Sequence, residues 1–239
     1  MNHTKQSPVA MVTGAGSGIG RAVAIGLGAQ GYSVILVGRK LENLEETGQI
    51  IWQQHRSDSH PVSIDITSTN ERNWLIDEIY AAYGRLDALV NCAGIGTCKA
   101  IGELSEAEIL ELFKVNAIGP IELARLALPE LIKSKGCVIN VASMAIVDPF
   151  VGLGIYGCTK AALDGLTRAL HNEYSEQGVR AYTVAPGAVE TEMLRSIVST
   201  DLLPTDQTLS PEQVAGKIIA CITGDVAEAS GSTILLKSS

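Results

Sequence analysis

The sequence predicts an α/β fold: a Rossmann-like, doubly wound parallel sheet of about seven strands with helices on both faces. Two observations predict it. Short β-branched apolar runs alternate with longer helical patterns from end to end, which is how βαβ units are written. A glycine-rich turn stands directly after the first of those runs, where a sheet of this kind binds ligands. Composition agrees, since 46% hydrophobic and only 18% charged residues supply enough apolar side chain for a core on both faces of a sheet. At 239 residues, with no repeat and no low-complexity linker, the chain reads as a single domain over residues 1–239.

Taken in order, the expected strands are Val9–Thr13, Ser33–Val37, Pro61–Asp65, Ala88–Asn91, Cys137–Ala142, Ala181–Ala185 and Ser232–Leu236. The expected helices are Ile19–Gln30, Leu41–Gln54, Ser68–Tyr83, Glu106–Ser134, Gly157–Glu176 and Pro211–Thr223. Right-handed crossovers then place ligands at the carboxyl ends of the strands. Residues 199–210, polar and interrupted by Pro204, read as a flexible loop.

A formal net charge of -8, with Lys and Arg scattered, argues against a nucleic-acid partner. The polar start, Met1 to Pro8, lacks a signal-peptide pattern, and no apolar run reaches the roughly 18 to 20 residues of a membrane span, so a cytoplasmic protein without a membrane partner is expected. Cys92, Cys98, Cys137, Cys158 and Cys221 lack paired spacing and mostly sit in apolar runs, which reads as reduced, buried thiols. His3, His55, His60 and His171 lie in polar segments away from other ligand types, so they read as surface residues and no metal is implied.

The turn Thr13-Gly14-Ala15-Gly16-Ser17-Gly18-Ile19-Gly20 links the first strand to the first helix. Its glycines allow a tight turn and close approach to a pyrophosphate, while the helix start offers unpaired N–H groups. Glycines between a strand and a helix can also be a mere connection, but this turn opens a repeating α/β pattern. Tyr156 and Lys160, four apart, share a helix face, and an ammonium beside a phenol favours the phenolate, as a general acid/base near neutrality requires. Ser143 follows an apolar strand, so its hydroxyl is expected at a strand's carboxyl end. Asn116 sits within an apolar helical pattern just before Gly119-Pro120, where an amide is costly without a partner.

The spacing T-G-x-x-x-G-I-G resembles the short-chain dehydrogenase/reductase family, as do further elements that appear in that family's order. These are Asp65-Ile66, Asn91-Cys92-Ala93-Gly94, the Asn116 segment, Ser143, Tyr156-x-x-x-Lys160 and Pro186-Gly187. Cys92 stands where the family more often has Asn. The resemblance implies a hydride-transferring oxidoreductase, 3-oxoacyl reductase-like, acting on a small carbonyl or alcohol. In it Tyr156 moves the proton, Ser143 holds the reacting oxygen, Lys160 tunes Tyr156 and binds the nicotinamide ribose, and Asn116 supports a relay water. It implies cofactor contacts at Gly14, Ser17, Gly18, Ile19, Gly20, Asp65, Ile66, Asn91, Ala93, Gly94, Tyr156, Lys160, Pro186, Gly187, Val189 and Thr191, with a helix cap as the alternative for Thr191.

NADP(H) is the expected cofactor, with NAD(H) possible, because the second strand ends in Gly38-Arg39-Lys40 where an acidic residue would select NAD. Arg39 offers a planar cation to a 2′-phosphate; its alternative is a solvated charge at a helix start. Residues Met144, Ile146, Val147, Phe150, Leu153, Val189, Met193, Leu194 and Ile197 would line an apolar pocket under a mobile helical lid, or simply pack together. The Glu106–Ser134 pattern is apolar on more than one face, so a homodimer or homotetramer is expected. The competing reading is a non-catalytic NADP(H)-binding regulatory or scaffold protein.

Overall fold

The structure, a computed structural model, describes residues 7–238. Seven parallel strands form one sheet in the order β3-β2-β1-β4-β5-β6-β7. They are β1 (Val9–Thr13), β2 (Ser33–Gly38), β3 (Ser59–Ser63), β4 (Ala88–Asn91), β5 (Cys137–Val141), β6 (Arg180–Pro186) and β7 (Thr233–Leu236). The helices are α1 (Gly18–Ala29), α2 (Leu41–His55), α3 (Thr69–Tyr83), α4 (Glu106–Phe113), α5 (Gly119–Ser134), α6 (Gly154–Tyr174), α7 (Glu192–Ile197) and α8 (Pro211–Thr223). β1, β4 and β5 are buried throughout, as strands covered on both faces must be, and apolar clusters fill both faces. The winding reverses between β1 and β4, which opens a crevice at their carboxyl ends.

Two elements differ from the sequence expectation. The third strand runs Ser59–Ser63 rather than Pro61–Asp65. It is an edge strand paired only with β2, so its two-residue extension into polar sequence and the missing N–H of Pro61 are tolerated, and Ile64 to Ile66 are released to the crevice. The long helix Glu106–Ser134 is α4 and α5 joined by a π-helical turn over Lys114–Ile118. Pro120 has no N–H, so the Asn116 carbonyl lacks its ordinary donor four residues on, and the helix widens there. The remaining boundaries agree within about three residues, the ordinary scatter at helix and strand ends.

The thiols divide. Cys137 and Cys221 are buried, but Cys98 and Cys158 are exposed and Cys92 is half-buried, which corrects the expectation of mostly buried thiols. Cys98 lies in an irregular segment, and Cys158 falls on the outward side of α6, positions that an apolar neighbourhood in sequence does not reveal. His60 is exposed, while His55 and His171 are partly covered and His171 meets Ser230 Oγ at 3.1 Å; His3 lies outside the described residues. Among the described residues no helix is long and apolar enough to cross a membrane.

Candidate active site

The glycine turn is held from behind by side chains that grip its carbonyls. Arg21 donates to the Gly16 carbonyl from Nε at 3.1 Å and from a terminal nitrogen at 2.7 Å, and that nitrogen also meets Glu46 at 2.6 Å. Thr47 donates to the Ala15 carbonyl at 3.0 Å. In a trans peptide the N–H points opposite the C=O, so pinning these carbonyls turns the Gly16 and Ser17 N–H groups the other way. Thr13 Oγ1 accepts from the N–H groups of Cys92 and Ala93, each at 3.0 Å, and so locks the turn after β4 to the turn after β1. The approach is close: a methyl on Gly20 would lie 2.2 Å from the Gly14 carbonyl oxygen. Gly14, at φ +68°, lies in the left-handed region that side chains avoid.

These turns border a cleft of about 500 Å³. Of the residues that sequence motifs single out, Gly14, Ser17, Arg39, Asp65, Ile66, Ala93 and Gly94 line it. Gly18 and Thr191 line an adjoining cavity of about 430 Å³ and sit against each other. Ile19 and Gly20 lie behind the turn, in the first turn of α1. Thr191 is the N-cap of α7, its Oγ1 accepting from Leu194 N–H at 3.2 Å, so the capping alternative describes its side chain. Pro186 and Val189 are buried, and Gly187 donates to the Leu236 carbonyl at 2.8 Å, which places this trio in the support of the β6 end.

Asn91 also departs from a direct side-chain contact with the cleft. Its side chain is buried and donates to Asn140 Oδ1 at 2.9 Å. The chain continues from Asn140 to Thr167 at 2.9 Å, and Thr183 donates to Thr167 at 2.8 Å. This polar ladder ties β4, β5, α6 and β6 together beneath the site, with Asn91 Oδ1 left without a protein partner. Asn140, Thr167 and Thr183 sit in sequence contexts that read as ordinary strand and helix positions, so no local signal marked them.

The polar residues expected to do the chemistry do converge. Ser143 stands two residues after β5 and its hydroxyl accepts from Ala145 N–H at 3.2 Å, capping a short 3₁₀ turn. It lies close enough to Tyr156, in the first turn of α6, to lower that phenol's pKa. Lys160, one turn on, is buried and donates to the Val141 carbonyl at 2.9 Å, with Nζ 5.8 Å from the Tyr156 ring centre. Asn116, in the π turn, accepts from Ile95 N–H at 2.8 Å and donates to the Ile95 carbonyl at 2.9 Å and to Thr159 at 3.1 Å. A methyl on Gly94 would lie 3.2 Å from Asn116 Oδ1 and 3.3 Å from Lys160 Nζ, so these groups share one wall with the cleft's Gly94.

The electrostatics differ from the sequence expectation in one respect. Burial pushes the Tyr156 phenol up to about 12; the neighbouring Ser143 hydroxyl pulls it down by less. Burial also lowers Lys160 to about 8, and its ammonium faces the Val141 carbonyl, so it does not draw the phenol toward neutrality. The protein on its own therefore keeps the Tyr156 phenol protonated.

A match to the short chain dehydrogenase family model spans residues 8–202. The chain belongs to the short-chain dehydrogenase family. Among its curated relatives is the 3-oxoacyl-[acyl-carrier-protein] reductase of Aquifex aeolicus, 32% identical over 95% of this chain and 97% of that protein. An uncharacterised oxidoreductase of Staphylococcus epidermidis is 36% identical over 77% of this chain and 79% of its own length. In three dimensions this dehydrogenase is similar to an alcohol dehydrogenase of Thermococcus sibiricus complexed with 5-hydroxy-NADP, with a TM-score of 0.87, 27% identity and 97% of each chain covered. It is likewise similar to a short-chain type dehydrogenase/reductase of Mycobacterium ulcerans, with a TM-score of 0.88 and 27% identity over 96% of this chain and 88% of that one. The dehydrogenase is thus an NAD(P)-dependent oxidoreductase acting between alcohol and carbonyl groups, and the binding-only reading is set aside.

The residues present fit a nicotinamide dinucleotide. Ser17, the N-cap of α1, makes no side-chain capping hydrogen bond, so the first N–H groups of that helix remain for an anion. Arg39 and Lys40 line the cleft with no ion pair among the described residues.

Proposed function

We propose that this dehydrogenase, working as one catalytic domain over its whole length, reduces a carbonyl compound or oxidises the matching alcohol with NADP(H). The bound dinucleotide supplies or accepts the hydride. The protein's part is the rest: Ser143 orients the substrate oxygen, Tyr156 gives it a proton in reduction or takes one in oxidation, and Lys160 and Asn116 position that pair. Lys160 also meets the nicotinamide ribose, and Arg39 meets the 2′-phosphate. The observation that carries this reading is the convergence of Ser143, Tyr156 and Lys160 at the end of β5, beside the wall where Gly94 enters the cleft.

The chemistry follows from charge. As a carbonyl oxygen gathers negative charge, the Ser143 hydroxyl and the protonated Tyr156 face it in a site that already excludes water from Lys160. We also read the enzyme as cytoplasmic and as a homodimer or homotetramer joined through the α4–π turn–α5 segment and α6, with Leu110 of α4 and Ile118 of the π turn about half exposed; light scattering distinguishes either assembly from the 25.2 kDa chain. The reading is tested by reducing ketones with NADPH deuterated at C4 of the nicotinamide. One deuterium at the carbinol carbon is expected, and a reduced product free of deuterium, with either face of the nicotinamide labelled, overturns it.

A further inference from the structure

Three segments pack into a collar beside the site. A methyl on Gly96 would lie 3.1 Å from Ile197 Cδ1 and 3.6 Å from the Met193 side chain, so the turn after β4 meets α7. The Lys99 N–H donates to the Gly152 carbonyl at 3.0 Å, and a methyl on Gly152 would lie 2.8 Å from Cys98 Sγ, so the same segment meets the loop between Ser143 and Tyr156. The collar is apolar on its outside: Val147 is 60% exposed, Phe150 77% and Val151 93%, with Leu202 at 80% beyond α7.

Its charges are lopsided. In residues 95–108, 144–155 and 187–207 the only cations are Lys99 and Arg195. Both are already committed. Lys99 Nζ meets Glu108 at 2.5 Å. Arg195 holds Glu190 with two nitrogens, one of them at 2.7 Å, and gives a third to the Leu203 carbonyl at 2.8 Å. Asp148, Glu192, Asp201 and Asp206, in contrast, form no ion pair among the described residues. The cations without an ion pair around the collar lie outside these segments: Arg39 and Lys40 at the cofactor end of the cleft, Lys114 next to the cleft's Val115, and Lys237 next to Ser238, which sits against Gly187.

Resting on the proposed oxidoreductase reading, we infer that the site takes an uncharged carbonyl compound with an apolar body, free in solution. It disfavours acyl groups delivered on a phosphate-bearing arm. An acyl thioester of coenzyme A or of a phosphopantetheine-bearing carrier brings phosphates to the mouth as its acyl end enters. Here the three collar segments offer those phosphates unpaired carboxylates and no free cation of their own, an arrangement that lowers encounter rates and selects against the partner. An uncharged ester loses nothing on approach and gains contact with the exposed Phe150 and Val151.

The test presents one acyl group in three forms: ethyl 3-oxobutanoate, the 3-oxobutanoyl thioester of N-acetylcysteamine, and the 3-oxobutanoyl thioester of coenzyme A. Each is reduced with NADPH at low and at 0.5 M salt. The two uncharged probes are expected within a few-fold of each other in kcat/KM, with the coenzyme A thioester about tenfold lower at low salt and the gap narrowing as salt screens it. Asp148→Lys is expected to raise kcat/KM for the coenzyme A thioester at low salt and to leave the ethyl ester unchanged. Preference for the coenzyme A thioester over its uncharged counterpart overturns this inference alone. Failure to reduce any of the three, with NADPH still bound, overturns both it and the oxidoreductase reading.

Discussion

The two ends of the site are built by different means. At the cofactor end the working groups are backbone amides, and buried or bidentate side chains fix them: Thr13, Arg21 and Thr47 each grip a turn, and glycines stand where a methyl would collide. At the substrate end the working surface is side chain, much of it exposed, on loops and the short helix α7. The difference teaches where specificity resides. Geometry that must suit one unchanging dinucleotide is written into the backbone, whereas the part that meets substrate is written in replaceable residues on connecting segments.

That contrast is breakable. The largest effect outside the reacting groups is expected at Arg21, which lines the adjoining cavity and orients the Gly16–Ser17 peptide. Charge-assisted hydrogen bonds contribute about 1.5–3 kcal/mol, so Arg21→Ala should raise the cofactor KM by roughly ten- to a hundredfold, with kcat at saturating cofactor within about threefold. Glu46→Gln should do little, because its pairing with Arg21 is solvent-exposed, and Arg21→Lys should restore part of the loss. A fall in kcat with unchanged cofactor KM would place Arg21 outside the account.

A smaller, more selective effect is expected at Arg39. Steady-state kcat/KM with NADPH and with NADH should favour NADPH in the parent. Arg39→Ala should cut that preference by about tenfold through loss of one phosphate contact, and Gly38→Asp should reverse it. A parent that prefers NADH contradicts the assignment.

The same contrast explains what the sequence disclosed. The succession of strands and helices, the glycine turn and the Ser143, Tyr156 and Lys160 set were legible because each is local: a period, a spacing of four, a glycine at a turn. Arg21 was not, since its partners Gly16 and Glu46 gain meaning only when α2 packs beside α1. The ladder from Asn91 to Thr183 was equally hidden, being a contact across three strands and a helix. Pro120 was visible, yet its consequence for the Asn116 carbonyl depends on a helix running through it, which apolar periodicity alone reads as continuous. The direction of Lys160 was also beyond the sequence: spacing puts it on the Tyr156 face, but the Val141 carbonyl decides where its ammonium points.

The central claim is that Tyr156 carries the proton while the glycine cleft independently holds the cofactor, and Tyr156→Phe separates the two most directly. Turnover of the best-reduced ketone and NADPH affinity by fluorescence titration should be measured on the same preparation. General acid catalysis is worth about 10²–10⁴-fold, so kcat is expected to fall by that factor while the NADPH Kd stays within about threefold. In the parent, the phenol at about 12 keeps its proton across the neutral range, so any loss of reduction as pH rises toward 9 should follow Lys160, which gives up its proton near 8. Turnover by Tyr156→Phe within a few-fold of the parent, with NADPH still bound, would contradict the account.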